Sequence, residues 1–400
     1  MLEISHTPKY LETLQEVPKL QESQRRILET KWENDVFVTP TTYDAAITYS
    51  SGILECVKKV TQREMDSNKA VAIGRPPGHH ACANKAMGFC FLANVAIAAK
   101  MALRNGWARK ILIIDWDIHH GNGTQNLTYN DPNILYVSLH RQGRGSQYFY
   151  PGTGSPNETG NPTSAPGSNL NIAWNHRLMG NADYLTAWSE IVLPVVSNFS
   201  PDLILVSSGF DAAKGDLIGD CLLTPEAYYL MTSSLLTLTS KKNTPVVVAM
   251  EGGYNLEVIP LCMEAVVMAL RGEEWDEDGT ANPLADLSFP QPKHKSRISL
   301  SSNPLVRSRL ELTKFWDYYE KNPRGRGKKL AKGAVASINS VIEVIMNSDG
   351  AFGDIKVRKI KDQIEKRDGE QREGRGVKDF GKDYVDGSGI DSLLGGLKIG

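Results

Sequence analysis

Five short runs of apolar, mostly β-branched residues mark the middle of the chain and predict buried strands. They lie at residues 71–74, 111–117, 134–139, 202–210 and 245–254. Stretches with the composition and spacing of helices lie between them, at 94–104, 181–196 and 225–239. Apolar strands that alternate with helices are typical of a parallel sheet covered on both faces. We therefore predict an α/β fold, a three-layer, doubly wound and mostly parallel sheet flanked by helices.

The residues on either side of these strands have a different composition. Residues 1 to about 66 are polar and rich in helix formers, which predicts helices joined by loops. From residue 321 the chain is rich in glycine and charge, so we expect one domain over 1–320 and a tail over 321–400. The tail permits one amphipathic helix, which packs on the domain or docks a partner, with apolar positions at Val335, Ile338, Val341, Ile342 and Ile345.

Composition limits the classes of protein and partner. The 400 residues include 45 Lys and Arg, 46 Asp and Glu and 41% hydrophobic residues, as in ordinary globular proteins. The net charge of -1 gives no reason to expect direct nucleic-acid binding. The five scattered cysteines form no CxxC pair, which argues against a thiolate zinc motif. No membrane span or secretory signal is recognisable, so we predict no membrane association and a location in cytoplasm and nucleus.

Polar side chains gather where four of the predicted strands end. In chain order they are His79 and His80; Asp115, Asp117, His119, His120 and Asn122; Asp211 and Asp216; and Glu251 and Tyr254. The carboxyl ends of parallel strands meet at one edge of a sheet, where such folds bind ligands. The sequence therefore predicts a single site at this edge.

Three of these residues predict a metal site. Asp117 and His119 are two residues apart, which in extended backbone directs both side chains to one side. Asp211 is the better third ligand, because Asp216 lies further into its loop. Mixed Asp and His ligation with an open position suits a catalytic Zn²⁺ or a comparable divalent ion. The alternative is a set of surface loop residues, but the apolar flanks bury these carboxylates, and buried carboxylates need a cation or donors.

The remaining side chains predict acid–base chemistry. His79 and His80 follow a rigid PPG turn and can act as general base and acid, with Asp115 and Asn122 behind the rings. The phenol of Tyr254 can hold a developing oxyanion. This set indicates metal-assisted hydrolysis of a carbonyl compound. No nucleophile elbow or phosphate-cradle spacing supports covalent or nucleotide chemistry.

Over residues 69–270 the chain resembles the zinc-dependent histone deacetylases, class II branch, which have the arginase/deacetylase fold. The motifs that carry the resemblance are, in order, RPPGHH, GFC, DWDIHHGNGTQ, YVSLHR, PGTG, SSGFDAAKGD and EGGYN. Relatives usually have a strand and a helix before the stretch that resembles HTPKYLETLQ. We therefore expect 1–320 to be a catalytic domain that is short at its front end.

The resemblance implies roles for the residues at the strand ends. It implies one catalytic Zn²⁺ ion with the ligands Asp117, His119 and Asp211. His80 would be the main general base and acid, and His79, oriented by Asp115, its electrostatic partner. Tyr254 would bind the carbonyl oxygen and then the oxyanion. Asn122 stands behind the second histidine, as in class II.

The resemblance also implies an acyl-lysine tunnel and a second ion. Gly88 and Phe89 of the GFC motif would form one wall, and Tyr150 would form the opposite wall, where relatives usually have Phe. Ile218 occupies the position where polyamine deacetylases place an acidic gatekeeper, which favours a peptide substrate. A structural K⁺ ion is implied near the second strand, held by Asp115, Asp117, His119, Ser138 and Leu139.

The function implied is that of a protein lysine deacetylase, which hydrolyses N6-acetyl-lysine in histones or other proteins to lysine and acetate. Its partners would be acetylated lysine side chains of histones or cytoplasmic proteins and corepressor-type proteins, with a role in chromatin and transcription. Two alternatives stay open. One is an amidohydrolase for acetylpolyamines or other small acetylated amines, and the other is a catalytically weak, deacetylase-like scaffold.

Overall fold

The computed structural model describes residues 1–33, 35–143, 148–273, 332–348 and 352. A six-stranded sheet lies at the centre of this part, and neighbouring strands are parallel throughout. In the spatial order β1-β6-β5-β2-β3-β4, the strands are β1 Lys69–Ala72, β2 Ile111–Asp115, β3 Ile134–Arg141, β4 Asn169–Trp174, β5 Leu203–Ser208 and β6 Val246–Met250. The predicted α/β fold with a parallel, doubly wound sheet is confirmed.

Helices surround the sheet. The α-helices of the described part are α1 Pro8–Glu16, α2 Glu22–Trp32, α3 Thr42–Gln62, α4 Asn94–Arg104, α5 Asn122–Thr128, α6 Asn181–Ala187, α7 Leu193–Phe199, α8 Pro225–Thr239, α9 Ile259–Arg271 and α10 Lys332–Met346. The predicted helix over 181–196 is present as α6 and α7, joined by a π-helical turn at Trp188–Val192. None of these described helices is both long and apolar enough to cross a membrane.

The two faces of the sheet are buried by different helices, which gives three layers. In β2, Leu112 and Ile114 belong to a buried cluster shared with α6 to α9. The alternate residues, Ile111 and Ile113, belong to a second cluster shared with α3 and α4. Since successive side chains of a strand point to opposite faces, a continuously apolar strand is explained by cover on both sides.

Strand β4 is not predicted by the sequence. Its Asn169 and Asn171 alternate with apolar residues, so no continuous apolar run marks it. Both asparagine side chains are nevertheless buried, because their Nδ2 groups donate to Oε1 of Gln125 at 3.0 and 2.8 Å. Hydrogen bonds to Gln125 thus take the place of apolar contacts for these two side chains, whereas their Oδ1 atoms are buried without a partner in the described part of the chain.

Helix α10 lies beyond the domain boundary predicted near residue 320. Its Ile338, Val341, Ile342 and Ile345 are buried in the same cluster as the apolar residues of β4. In addition, the Ser337 hydroxyl accepts a hydrogen bond from the backbone N–H of Asn175 (3.2 Å). The amphipathic helix therefore packs on the domain. The boundary itself stays a prediction, since residues 274–331, the side chain of Val335 and nearly all of the chain after 348 lie outside the described residues.

Candidate active site

The order of the strands brings the loops after β2 and β5 together. The chain leaves β2 towards β3 and later returns on the other side of β2 at β5, where Asp115 pairs with Ser207. Such a reversal opens a crevice beyond the carboxyl ends of the strands. The loop after β2 carries Asp117 and His119 into this crevice, and the loop after β5 carries Asp211.

The structure brings these three side chains to one point. One ligand atom from each of Asp117, His119 and Asp211 lies within 4.8 Å of the others, and all three residues are buried. Nδ1 of His119 is 2.9 Å from Oδ2 of Asp211 and 3.1 Å from Oδ1 of Asp117. Glycine is required nearby at position 252, because a Cβ there would lie 2.6 Å from Oδ2 of Asp117 and 2.7 Å from Oδ2 of Asp211.

The chemistry of this cluster fits a divalent cation. Burial, together with the neighbouring Asp117, raises the pKa of Asp211 to about 7. Two buried carboxylates that face each other repel, and an imidazole nitrogen between them offers a third ligand. One nitrogen and carboxylate oxygens around a shared point are a donor set that Zn²⁺ accepts. The predicted ligand set is therefore assembled, while its binding of zinc stays a prediction.

The two adjacent histidines have different partners. Nδ1 of His79 is 3.1 Å from Oδ2 of Asp115. Nδ1 of His80 is 2.8 Å from Oδ1 of Asn122, and because an amide oxygen only accepts, this nitrogen carries the hydrogen. Nε2 of the neutral His80 ring is then free to accept a proton. The structure thus places Asp115 and Asn122 behind the rings, where the sequence predicts them.

The surroundings drive the pKa values of the two histidines in opposite directions. Burial alone would lower the pKa of His79, but Asp117 and Asp115 outweigh it and raise that pKa well above the usual value. Burial, together with the charges of His79 and His119, lowers the pKa of His80 well below the usual value. One ring is therefore charged and the other neutral, which is how acid and base roles are divided between adjacent groups.

Glu251 has a structural function that its sequence position does not reveal. Its Oε2 accepts hydrogen bonds from the backbone N–H groups of Gly78 (2.6 Å) and His79 (3.2 Å). Burial raises the pKa of this carboxyl to about 7. Glu251 therefore fixes the turn that carries both histidines. The sequence shows that a carboxylate follows β6, but not that it binds the backbone of a loop after β1.

Asp216 is not part of the metal-ligand cluster formed by Asp117, His119 and Asp211. Its Oδ2 accepts a hydrogen bond from the backbone N–H of Tyr254 (2.7 Å), and its Oδ1 accepts one from Ile218 (2.9 Å). Asp216 therefore holds Tyr254 against the turn that carries Ile218.

The phenol of Tyr254 is directed towards the cluster. Its oxygen lies 3.2 Å from where a Cβ of residue 252 would be, next to the carboxylates. Burial and the nearby Asp211 and Asp117 raise the pKa of Tyr254 far above the usual value, so the hydroxyl remains a donor.

Aromatic side chains surround the opening above these groups. Phe89 is 38% exposed and packs edge-on against Tyr254, with ring centroids 6.0 Å apart. The ring of Tyr150 stands edge-on to His80, with centroids 5.2 Å apart. Gly88 is buried against His80, since a Cβ at this position would lie 2.4 Å from Cδ2 of that ring. Ile218 is 43% exposed, and Asp216 links its backbone to that of Tyr254. Their role as a substrate tunnel stays a prediction.

The residues predicted to bind potassium share Asp117 and His119 with the cluster and add Asp115, Ser138 and Leu139. Ser138 of β3 pairs with Asp115 of β2, and both are fully buried, as is Leu139. Oδ1 of Asp115 accepts a hydrogen bond from the backbone N–H of Asp117 (3.2 Å), and the Ser138 hydroxyl lies 2.9 Å from Nδ1 of His140. The proximity of Asp115 and Ser138 agrees with the prediction but does not test it.

Comparison with known proteins identifies relatives over most of the chain. The model of the histone deacetylase domain matches residues 1–270. Histone deacetylase HDA1 of Candida albicans is 42% identical over 285 residues, which are 70% of this chain and 33% of that protein. Histone deacetylase HDA1 of Saccharomyces cerevisiae is 39% identical over 327 residues, 80% of this chain and 43% of that protein.

A solved structure supports the same grouping. The HD domain of HDA15 covers 84% of this chain with a TM-score of 0.61 and 32% sequence identity, and 82% of that domain is matched. The predicted arginase/deacetylase type of fold is thereby confirmed. The chain spans less than half the length of the two curated relatives described above.

Proposed function

The chain belongs to the histone deacetylase family, and we propose that it is a zinc-dependent protein lysine deacetylase. It hydrolyses N6-acetyl-lysine in histones or other proteins to lysine and acetate. One observation carries the proposal: the convergence of Asp117, His119 and Asp211 beside a charged histidine, a neutral histidine and a phenol. These side chains at one edge of the sheet are the ones that the proposed hydrolysis of an amide would use.

The cluster of Asp117, His119 and Asp211 would hold the zinc ion, which when bound polarises the acetyl carbonyl and makes water more acidic. His80 accepts the proton of the attacking water at Nε2, since its Nδ1–H is bound by Asn122. The hydroxyl of Tyr254 donates a hydrogen bond to the carbonyl oxygen as negative charge develops there. The proton on His80 then passes to the lysine nitrogen as the C–N bond breaks, which releases acetate and lysine.

The rim of the pocket supports a peptide substrate. The rings of Phe89 and Tyr150 offer apolar walls to an acetyl-lysine side chain, whose positive charge acetylation has removed. Ile218 is apolar at the position where selection of a distal cation would need a carboxylate. A peptide is therefore favoured over an acetylated polyamine.

We assign the finer features to the same proposal. The carboxylate of Asp115, the hydroxyl of Ser138 and the backbone carbonyls of Asp117, His119 and Leu139 would bind a structural K⁺ ion. The substrates would be histones or cytoplasmic proteins, reached in the nucleus and cytoplasm, with corepressor-type proteins as partners. The shared burial of Asp115, Ser138 and Leu139 supports the potassium site.

The variant Tyr254→Phe tests the proposed activity. Loss of the hydroxyl removes a donor to the oxyanion, so kcat on an acetyl-lysine peptide should fall about 100-fold or more. Zinc content, measured by elemental analysis, should be retained. The control Tyr43→Phe removes a phenol hydroxyl that contacts Gln15 on the surface and should keep wild-type kcat.

Three results would contradict the proposal. If Tyr254→Phe turns over at the wild-type rate, the phenol has no part in the reaction. If wild-type protein with one zinc per chain hydrolyses acetylated putrescine but not the peptide, the substrate class is wrong; if it hydrolyses neither, the protein is a scaffold.

A further inference from the structure

Glu33 joins the two segments that carry the proposed walls of the tunnel. It follows α2, and its Oε2 accepts a hydrogen bond from the hydroxyl of Tyr150 (2.7 Å). The same oxygen accepts a second hydrogen bond from the backbone N–H of Gly88 (3.1 Å). Tyr150 belongs to the long loop after β3, and Gly88 precedes Phe89 in the loop before α4. One carboxylate oxygen is therefore shared by both proposed walls.

The two walls meet at this point. A Cβ on Gly88 would lie only 3.0 Å from the hydroxyl oxygen of Tyr150. Burial and the hydrogen bond to Glu33 raise the pKa of Tyr150 far above the usual value, so its hydroxyl remains protonated and donates. A hydrogen bond to a carboxylate is stronger than one between neutral groups. The two proposed walls are thus joined by a charge-assisted contact.

The orientation of Tyr150 controls the space above the reacting groups. Its ring stands edge-on to both His80 and His119, with centroids 5.2 and 6.1 Å apart. Rotation of this ring about its side-chain bonds would change the width of the opening directly above His80. The hydroxyl is the group at the far end of the ring, so its bond to Glu33 opposes such rotation most effectively.

We propose that Glu33 is a positioning residue that sets the width of the acyl-lysine tunnel by bracing its two walls, and thereby selects short acyl groups. This inference rests on the deacetylase function proposed above. Glu33 acts through Tyr150 and Gly88 and not on the reacting atoms. Its effect is therefore on binding and on acyl-chain selection more than on the chemical step.

The variants Glu33→Ala and Glu33→Gln test the brace in the zinc-loaded full chain. Glu33→Ala leaves both donors without their acceptor, so KM for an acetyl-lysine peptide should rise about 10-fold while kcat stays within about threefold. The preference for acetyl-lysine over butyryl-lysine should fall by a similar factor. Glu33→Gln keeps an acceptor oxygen and should restore most of the wild-type KM and selectivity. Glu22→Ala, which removes an exposed carboxylate at the start of α2, is the control.

Two kinetic results would overturn the brace. If Glu33→Ala has the KM and the selectivity of Glu22→Ala, Glu33 does not set the width. If Glu33→Gln is as impaired as Glu33→Ala although an acceptor oxygen remains, Glu33 does not act by accepting the hydrogen bonds of Tyr150 and Gly88.

Thermal unfolding separates the brace from the proposed activity. Glu33→Ala, Tyr150→Phe and the double variant form a cycle that needs no turnover. If Glu33 and Tyr150 are bonded, the double variant should lose no more in Tm than the more affected single variant. Additive losses would overturn the brace. An enzyme without activity on either peptide would disprove the deacetylase function, whereas this cycle would still decide whether the two residues are coupled.

Discussion

The floor of the pocket is formed by side chains from the loops just beyond the carboxyl ends of β1, β2 and β5, whereas its rim is formed by side chains further along such loops and by the residue that follows α2. The floor consists of His79, His80, Asp117, His119 and Asp211, and the rim consists of Glu33, Gly88, Phe89 and Tyr150. All of the floor residues are buried, while Phe89 of the rim is 38% exposed.

The two regions also differ in how their side chains are held. Both carboxylates of the floor accept backbone N–H groups from neighbouring loops: Asp211 from Ile118 (2.8 Å) and Asp117 from Gly252 (2.9 Å). At the rim, the hydroxyl of Tyr150 is held by Glu33. Groups placed by sheet topology suit chemistry that tolerates little displacement. Groups that are placed by one contact between distant segments suit the selection of a substrate, because a single substitution can remove the contact and change which acyl group is accepted.

The largest effect is expected at the floor. Asp211→Asn keeps the shape of the side chain but removes a charged ligand, so zinc should be lost and kcat/KM should fall about 1,000-fold or more. Elemental analysis and the peptide assay measure the two losses together. The control is Asp220→Asn. Asp220 lies further along the loop after β5 and pairs with Arg177. It should retain both zinc and activity.

Chelation gives a second measurement of the same variant. Wild-type protein should lose thermal stability when its metal is removed, since a ligand that binds only the folded state stabilises it. Metal-free Asp211→Asn should unfold at a higher temperature than metal-free wild type, because burial and the neighbouring Asp117, which together raise the pKa of Asp211 to about 7, no longer act on a carboxyl group there. Full zinc content in this variant would show that the floor is not a three-ligand site.

A smaller effect is expected one step away from the reacting atoms. Asn122→Ala removes the acceptor of the Nδ1–H of His80. The ring can then change tautomer and orientation, so kcat should fall about 10- to 100-fold with zinc retained. Asn126→Ala, exposed on the same helix α5, is the control. Equal kcat for the two variants would mean that His80 does not need an oriented Nε2.

The floor was predictable from the sequence because its residues stand next to apolar strand patterns. Once β2 and β5 are recognised as parallel strands, their carboxyl ends must lie at one edge, and Asp117, His119 and Asp211 follow from that placement. The motifs of the family resemblance added roles to these positions. Strand β4 was not predictable in the same way. Its Asn169 and Asn171 interrupt the apolar run by which the other strands are recognised.

The rim was only partly predictable. Resemblance indicated Phe89 and Tyr150, but Glu33 belongs to a polar N-terminal region without any pattern of chemistry. Its contact with Tyr150 joins residues 117 positions apart. No local periodicity reports such a contact, since it depends on how α2 packs beside the loops. For the same reason, the sequence does not predict the hydrogen bonds that Glu251 and Asp216 accept from backbone N–H groups.

The smallest effect is expected where the N-terminal segment supports the rim loop. Nδ1 of His6 donates to the carbonyl of Cys82 (2.9 Å), and its Nε2 accepts from the N–H of Ala93 (2.9 Å). His6 thus ties both ends of the loop that carries Gly88 and Phe89, and it does so only as a neutral ring. Burial, together with the charge of Lys100, lowers the pKa of His6 from 6.5 to about 4.

The sign of the pH dependence follows from that shift. Unfolded His6 binds a proton near pH 6.5 and folded His6 only near pH 4, so its stabilising contribution is complete above pH 6.5 and is lost as the pH falls towards 4. Between pH 7 and pH 5.5 the loss should be about 1 kcal/mol. His6→Gln should therefore lose less stability over this interval than wild type in urea unfolding, whereas His176→Gln, an exposed histidine, should match wild type. Equal slopes for all three proteins would mean that His6 titrates alike in both states, and that the rim loop is not held by a neutral ring.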